Sequence, residues 1–259
     1  MSDKRIAVVT GASSGIGEAT ARALADRGWH CVLLARRADL LAKIAGEVTG
    51  EWETCDVADR AAVDAVAARI LERHPAVGLL VNNAGIAARG SVLDIDPERI
   101  ESVLNVNYLG GVWCLRAFEP GLRLAAASGG AHVVNVVSVA GTIAFAPAGG
   151  YAAAKHAQLA FSRSSAALLR GTGIRVHTIL PGFVETEGFP QRSKLRSRLL
   201  RRFVIEADDV ASAIVRAVEK DKGEVTVPWF PYRLASIAQA LFPGLVAGIA
   251  ARITAHRDE

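Results

Sequence analysis

Short apolar runs alternate with amphipathic stretches almost from one end of the chain to the other. Residues 6–10 have the unbroken apolar character of a strand covered on both faces. Residues 15–27 predict a helix, and Gly28 ends it. A second strand is expected over 30–35, a helix running on to about Thr49, and a short third strand over 52–55. Residues 60–73 predict a helix with Val63, Val66, Ala67 and Ile70 along one stripe. A fourth strand follows at 78–81. From 97 to about 126 the pattern predicts one long helix with Pro97 in its first turn. Strands are then expected over 131–137 and 174–180, with a helix over 150–169 between them. A helix over 208–220, N-capped by Asp208, leads to a last strand over 224–227.

Such alternation predicts a three-layer, doubly wound α/β fold. Its parallel sheet would have about seven strands, right-handed crossovers and helices on both faces. No Gly/Ser linker, repeat or break in composition divides the chain. Residues 1–230 therefore read as one domain, and 231–259 as a helical, apolar extension of it.

The first strand runs directly into Thr10-Gly11-Ala12-Ser13-Ser14-Gly15-Ile16-Gly17. Glycines in a strand-to-helix turn let the backbone approach a pyrophosphate, and the helix that follows aims free N–H groups at the anion. The second strand ends in Arg36-Arg37, with no carboxylate before Asp39. At that edge of a Rossmann fold an acidic residue would accept from a ribose 2′-hydroxyl, whereas arginine accommodates a 2′-phosphate. The pair favours NADP(H).

A second group of residues carries chemistry. Tyr151 and Lys155 lie one helical turn apart and face the same side. Ser138 ends the fifth strand, at the edge where open parallel sheets bind ligands, and Asn107 sits within a helix. Carbonyl reduction needs a hydride at carbon and a proton at oxygen. A tyrosine hydroxyl, with an ordinary pKa of about 10, is helped toward the tyrosinate by a neighbouring ammonium. Ser138 can hold the substrate oxygen next to Tyr151, Lys155 can also hold the nicotinamide ribose, and Asn107 can order a water toward solvent.

Taken with Cys55-Asp56-Val57, Asn82-Asn83-Ala84-Gly85, Asn105-Val106-Asn107 and the segment from Pro181 to Thr186, these motifs resemble the short-chain dehydrogenase/reductase family from about Ile6 to Val227. The resemblance implies a catalytic tetrad of Asn107, Ser138, Tyr151 and Lys155. It implies cofactor contacts from Gly11, Ser13, Ser14, Gly15, Ile16, Gly17, Arg36 and Arg37. Asp56 and Val57 would lie at the adenine, and Asn83, Ala84 and Gly85 at the central strand and cofactor. Pro181, Gly182, Val184 and Thr186 would flank the nicotinamide, beside Tyr151 and Lys155. A homodimer or homotetramer is also implied. The expected partner is a small-molecule carbonyl or alcohol. The residues after Ser138 (Gly141, Thr142, Ile143, Ala144, Phe145) and the segment 186–203 are expected to line its pocket and to make it lipophilic.

Composition changes this picture little. The 259 residues are 51% hydrophobic with a net charge of +4, which suits a large core and gives no nucleic-acid-binding profile. Basic residues cluster over 192–202, read either as a solvated face or as a substrate lid or acidic-membrane contact. Cys31, Cys55 and Cys114 read as buried free thiols of a reducing compartment. The six histidines do not fall at ligand spacing, so no metal site is expected. The strand pattern begins so early that no signal peptide is expected, which points to the cytoplasm. The tail carries Leu234, Ile237, Leu241, Leu245, Ile249 and Ile253 at helical spacing. It is expected to cover the pocket or an oligomer interface, with peripheral membrane contact as the other reading.

Overall fold

The computed structural model describes residues 5–88, 90–144, 148–187, 191–192, 201–246 and 248. Strand β1 (Arg5–Thr10) leads into α1 (Gly15–Ala25), and the alternation continues through β2 (Trp29–Ala35), α2 (Ala38–Glu47), β3 (Glu51–Thr54), α3 (Arg60–Arg73) and β4 (Leu79–Asn82). Next come α4 (Pro97–Leu104), a π turn (Asn105–Leu109), α5 (Gly110–Ser128) and β5 (Ala131–Val136). After a 3₁₀ turn (Val139–Gly141) follow α6 (Gly149–Leu168), β6 (Ile174–Pro181) and the two-residue strands β7 (Val184–Glu185) and β8 (Ile205–Glu206). The chain then forms α7 (Ala207–Glu219), β9 (Glu224–Val227) and α8 (Tyr232–Leu241).

Seven strands form one sheet in the order β3-β2-β1-β4-β5-β6-β9, and every pairing is parallel. The order reverses between β1 and β4, which opens a crevice beyond their C-terminal ends. The strict two-residue period of a strand divides the core. Ala7, Val9, Leu33 and Val81 face α1, α2 and α7 through Leu24, Leu41 and Ile214. Ile6, Val8, Val32 and Leu80 face α3 and α5 through Ile70, Phe118 and Leu122. Both faces are covered, so these strands are continuous apolar runs rather than alternating ones. All three cysteines are buried and unpaired. Among the described residues no helix is long and apolar enough to cross a membrane.

Two elements depart from the sequence pattern. The single helix expected from 97 to 126 is interrupted by the π turn at Asn105–Leu109. Such a turn inserts one extra residue into an otherwise helical run and carries no residue signature of its own, so a coarse helical pattern does not locate it. The helix expected to be capped by Asp208 starts earlier. Glu206 is its N-cap, held extended by β8, and the Glu206 N–H donates to Asp209 Oδ2 at 3.0 Å in a capping box.

A buried histidine pair lies across β5 and β6. His132 Nδ1 and His177 Nε2 are 2.9 Å apart, and His177 Nδ1 lies 2.9 Å from the Lys222 carbonyl. Burial first, then the charges of His177 and Arg175, hold the His132 pKa down at about 4 against the opposing Asp221. His177 is also lowered, mainly by burial. Between about pH 6.5 and 4 the unfolded chain thus binds protons that the folded chain refuses, so stability falls as pH drops through that window. Thermal unfolding at pH 7 and pH 5 should reveal a loss of about 1–2 kcal/mol, discounted for the partial exposure of His132. The same loss in His132→Gln would mean that other groups carry it.

Candidate active site

The loop between β1 and α1 is folded tightly on itself and on β4. Gly11 and Gly15 have φ of +66° and +58°, a region open to glycine. A Cβ on Gly11 would lie 2.8 Å from Ala84 Cα, and one on Gly17 would lie 2.3 Å from the Gly11 carbonyl oxygen. Asn83 fixes the loop against β4: its Nδ2 donates to the carbonyls of Thr10 (2.9 Å) and Gly11 (3.4 Å). The backbone N–H groups of Asn83 and Ala84 both donate to Thr10 Oγ1. Ser14 is the N-cap of α1, yet no side chain caps the helix. Its first-turn donors, with Ile16 beside them, point out of the loop toward the crevice.

Arg37 reaches back to this loop. Its Nη2 donates to Ser14 Oγ at 2.7 Å and Ser13 Oγ at 3.0 Å, and its Nε donates to Ser13 Oγ at 3.2 Å. One guanidinium and two hydroxyls thus form a donor cluster beside the glycine turn, a set suited to a phosphate. Arg36 lies 3.7 Å from Asp56, whose Oδ1 accepts from the Ala58 N–H at 3.0 Å. Val57 is buried beneath Gly110, whose Cβ position would lie 2.8 Å from Val57 Cγ2. Across the loop, Thr186 packs against Gly15. An uncapped helix end, glycines with no room for a side chain and this donor set together fit a dinucleotide.

The four candidate catalytic residues converge at the C-terminal ends of β4 and β5. Tyr151 lies close enough to Ser138 for the Ser138 hydroxyl to favour its ionised form. Ser138 Oγ also accepts from the Ala140 N–H (3.1 Å) and donates to the Pro181 carbonyl (3.4 Å). On the same face of α6, Lys155 Nζ sits 5.8 Å from the centre of the Tyr151 ring. It donates to the Val136 carbonyl at 3.1 Å and to Gln158 Oε1 at 2.7 Å. Asn107, in the π turn, clamps Ile86 from both sides: Oδ1 accepts its N–H at 2.8 Å and Nδ2 donates to its carbonyl at 3.0 Å. Gly85 closes the group, its Cβ position 3.4 Å from Asn107 Oδ1 and 3.8 Å from Lys155 Nζ.

Electrostatics differ here from the simple expectation that Lys155 lowers the Tyr151 pKa. Burial pushes Tyr151 up to about 12, against the opposing hydrogen bond with Ser138. Burial also pushes Lys155 down to about 7. A lysine so desolvated is poor help to a tyrosinate in this state, and each group is held toward its neutral form.

A model of the family described as short chain dehydrogenase matches residues 5–196. The chain belongs to the short-chain dehydrogenase family. An uncharacterized oxidoreductase of Mycobacterium tuberculosis is 47% identical over 184 residues, 71% of either chain. A short-chain dehydrogenase/reductase of Burkholderia phymatum solved with NAD superimposes with a TM-score of 0.80 at 28% identity, covering 91% of this chain and 92% of its own. Actinorhodin polyketide ketoreductase with NADPH gives 0.78 at 26% identity, covering 87% and 96%. The protein is a Rossmann-fold oxidoreductase.

Three features of this dehydrogenase carry no sequence motif. Gln158, fully enclosed, is a direct partner of Lys155. A buried polar chain supports β4, β5 and β6 from beneath the site: Asn82 Nδ2 to Asn135 Oδ1, Asn135 Nδ2 to Ser162 Oγ, and Ser162 Oγ with Thr178 Oγ1, at 2.7–2.9 Å. The third is α8. Tyr232 Oη accepts from the Phe183 N–H (3.3 Å) and donates to the Phe203 carbonyl (3.2 Å), and Ser236 Oγ lies 2.7 Å from Thr142 Oγ1. The extension therefore packs on the segment expected at the nicotinamide.

Its apolar stripe is left exposed in the single chain. Leu234, Ile237 and Leu241 are 46%, 44% and 65% exposed, because Tyr232 and Ser236 occupy the buried side. Ile249 and Ile253 lie outside the described residues. Of the expected pocket residues, Thr142 turns its hydroxyl to α8, Ile143 is buried, and Gly141 lies against the Lys155 backbone. Phe145 and most of 188–200, including most of the basic cluster, lie outside the described residues. A Cβ on Gly182 would lie 2.1 Å from the Tyr232 ring. Gly182→Ala should consequently cost about 1–3 kcal/mol and lower turnover by displacing α8. Tyr232→Ala in the same chain should recover part of the turnover. An unchanged melting temperature in Gly182→Ala would contradict this packing.

Proposed function

We propose that the protein moves a hydride between NADP(H) and a carbonyl or secondary alcohol, with Tyr151 as the proton donor in reduction and the acceptor in oxidation. The observation that carries the reading is the convergence of Tyr151, Ser138 and buried Lys155, whose Nζ lies 5.8 Å from the centre of the Tyr151 ring on the next helical turn. The glycine loop (Gly11, Ser13, Ser14, Gly15, Ile16, Gly17) would hold the pyrophosphate, and Arg37 with the two serines the 2′-phosphate. Arg36, Asp56 and Val57 would line the adenosine side, and Asn83, Ala84 and Gly85 the path between the two rings. Pro181, Gly182, Val184 and Thr186 would meet the carboxamide.

When bound, the nicotinamide supplies or accepts the hydride. Ser138 Oγ holds the substrate oxygen against the Tyr151 hydroxyl, and Tyr151 gives that oxygen its proton as negative charge develops. Protonated, Lys155 has three N–H groups, two of them with protein acceptors, which leaves the third for a ribose hydroxyl. As an ammonium, Lys155 would draw Tyr151 toward the tyrosinate needed for oxidation. The Asn107 side chain is committed to Ile86, so Asn107 acts as a positioning residue, and its main-chain carbonyl is the group that would order a relay water. The proposed substrate is a lipophilic carbonyl, lipophilic on the sequence pattern after Ser138 alone, and the ketoreductase named among the similar structures supports a carbonyl. Oxidation of NADPH across a panel of aldehydes, ketones and quinones tests the reading. Turnover of at least one lipophilic carbonyl is expected, and none across the panel would count against it.

A further inference from the structure

A second convergence of chemistry lies at the other end of the sheet. His30 stands at the start of β2, Glu51 is the first residue of β3, and His74 is the C-cap of α3. Parallel pairing of β2 with β3 (Val32 opposite Glu51) brings the first two together, and α3, crossing back over the sheet, delivers the third. Nε2 of His30 and Nε2 of His74 lie 2.9 and 2.8 Å from the same oxygen, Glu51 Oε1. The three ligand atoms are all within 4.8 Å of one another. The histidine side chains are 13% and 18% exposed and the glutamate 34%. A shallow depression of about 580 Å³, bordered by Gly50, Glu51 and Arg73, opens beside them.

We propose that His30, Glu51 and His74 bind a borderline first-row divalent cation, Zn²⁺ foremost, at a site remote from the nucleotide loop. Two imidazoles and a carboxylate are a zinc donor set, whereas Mg²⁺ and Ca²⁺ call for oxygen donors. Tetrahedral bonds of about 2.0–2.2 Å put ligand atoms roughly 3.3 Å apart. The two short nitrogen–oxygen edges need open by only about half an ångström to admit the ion. Arg73 does not displace the metal: its Nε holds the other oxygen, Glu51 Oε2, at 3.2 Å, which orients Oε1 for single-oxygen ligation. Glu53 accepts from both Arg73 and Arg69, which offsets part of the local cationic charge. The ion would clip the edge strand β3 to β2 and α3. The ligands are 21 and 23 residues apart in sequence, and only the β-α-β topology makes them neighbours. With β2 seven residues long, the site lies roughly 20 Å from Arg37, so hydride transfer should not depend on it.

The test uses tag-free, full-length protein stripped with a chelator. Zn²⁺ is titrated by calorimetry and thermal unfolding, and Co²⁺ by visible absorption. One equivalent should bind at micromolar or better affinity, raise the melting temperature and give the intense bands of tetrahedral Co²⁺. His30→Gln, His74→Gln and Glu51→Gln, the last nearly isosteric, should each weaken binding by at least roughly tenfold. His156→Gln, an exposed histidine elsewhere, should not. Absence of stoichiometric binding or of the Co²⁺ bands in the unmodified protein overturns the proposal whether or not the variants fold. Equal affinity in the three ligand variants overturns it as well, and the hydrogen-bonded His–Glu–His cluster is then purely structural.

Discussion

Tyr151→Phe should lower kcat for carbonyl reduction by about 10²–10⁴, the range that general acid catalysis supplies, or about 3–5 kcal/mol of barrier. The phenyl ring keeps the packing of α6, and the lost hydroxyl touches Ser138 and the substrate rather than the glycine loop. NADPH affinity should therefore stay within about twofold, a small fraction of what a lost charged contact costs. Lys155→Ala should damage both quantities, because its Nζ lies beside the Tyr151 ring and within reach of Gly85, at the proposed ribose position. Stopped-flow fluorescence for binding and absorbance for turnover separate the two. Near-full turnover in Tyr151→Phe would remove the tyrosine from its assigned role.

Arg37→Asp should reverse cofactor choice. In the unmodified protein Arg37, Ser13 and Ser14 present converging donors, and a charge-assisted contact with a phosphate contributes about 1.5–3 kcal/mol. NADPH should thus bind at least roughly tenfold more tightly than NADH. A carboxylate at 37 repels the 2′-phosphate and can accept from a ribose hydroxyl, so the ratio should fall below one. Each arginine has a loose carboxylate neighbour, Asp56 for Arg36 and Glu187 for Arg37, but Arg36 is more exposed and turned to Asp56 rather than to the serines, so Arg36→Ala should change the ratio less. Equal Kd values for the two cofactors in the unmodified protein would contradict the assignment.

Much of this was legible in the sequence for a simple reason. The central strands, covered on both faces, are continuous apolar runs, and seven strands separated by helical stretches admit few topologies. The glycine loop was legible because its chemistry is backbone chemistry, local in sequence. Tyr151 and Lys155 were legible because helical spacing brings them together. What escaped depends on contacts between distant segments. The π turn at Asn107 inserts one residue into a helical run and has no residue signature of its own. Gln158 reads as an ordinary polar helix residue until Lys155 is seen to turn toward it. The role of Gly182 comes from Tyr232, on a helix outside the shared motifs, and the cluster of His30, Glu51 and His74 exists only across β2, β3 and α3. The stripe of Leu234, Ile237 and Leu241 was correctly seen as apolar. Periodicity could not reveal that Tyr232 and Ser236 are the residues by which α8 packs on its own chain.

The most direct measurement follows the hydride itself. NADPH carrying deuterium at the transferable C4 position is incubated with the protein and a lipophilic ketone that it consumes, and the product alcohol is analysed by mass spectrometry. Deuterium should appear on the carbinol carbon with the unmodified protein and fall to background with Tyr151→Phe. An alcohol formed without deuterium when either C4 face is labelled, or equal labelling by the Tyr151→Phe variant, would contradict hydride transfer assisted by Tyr151.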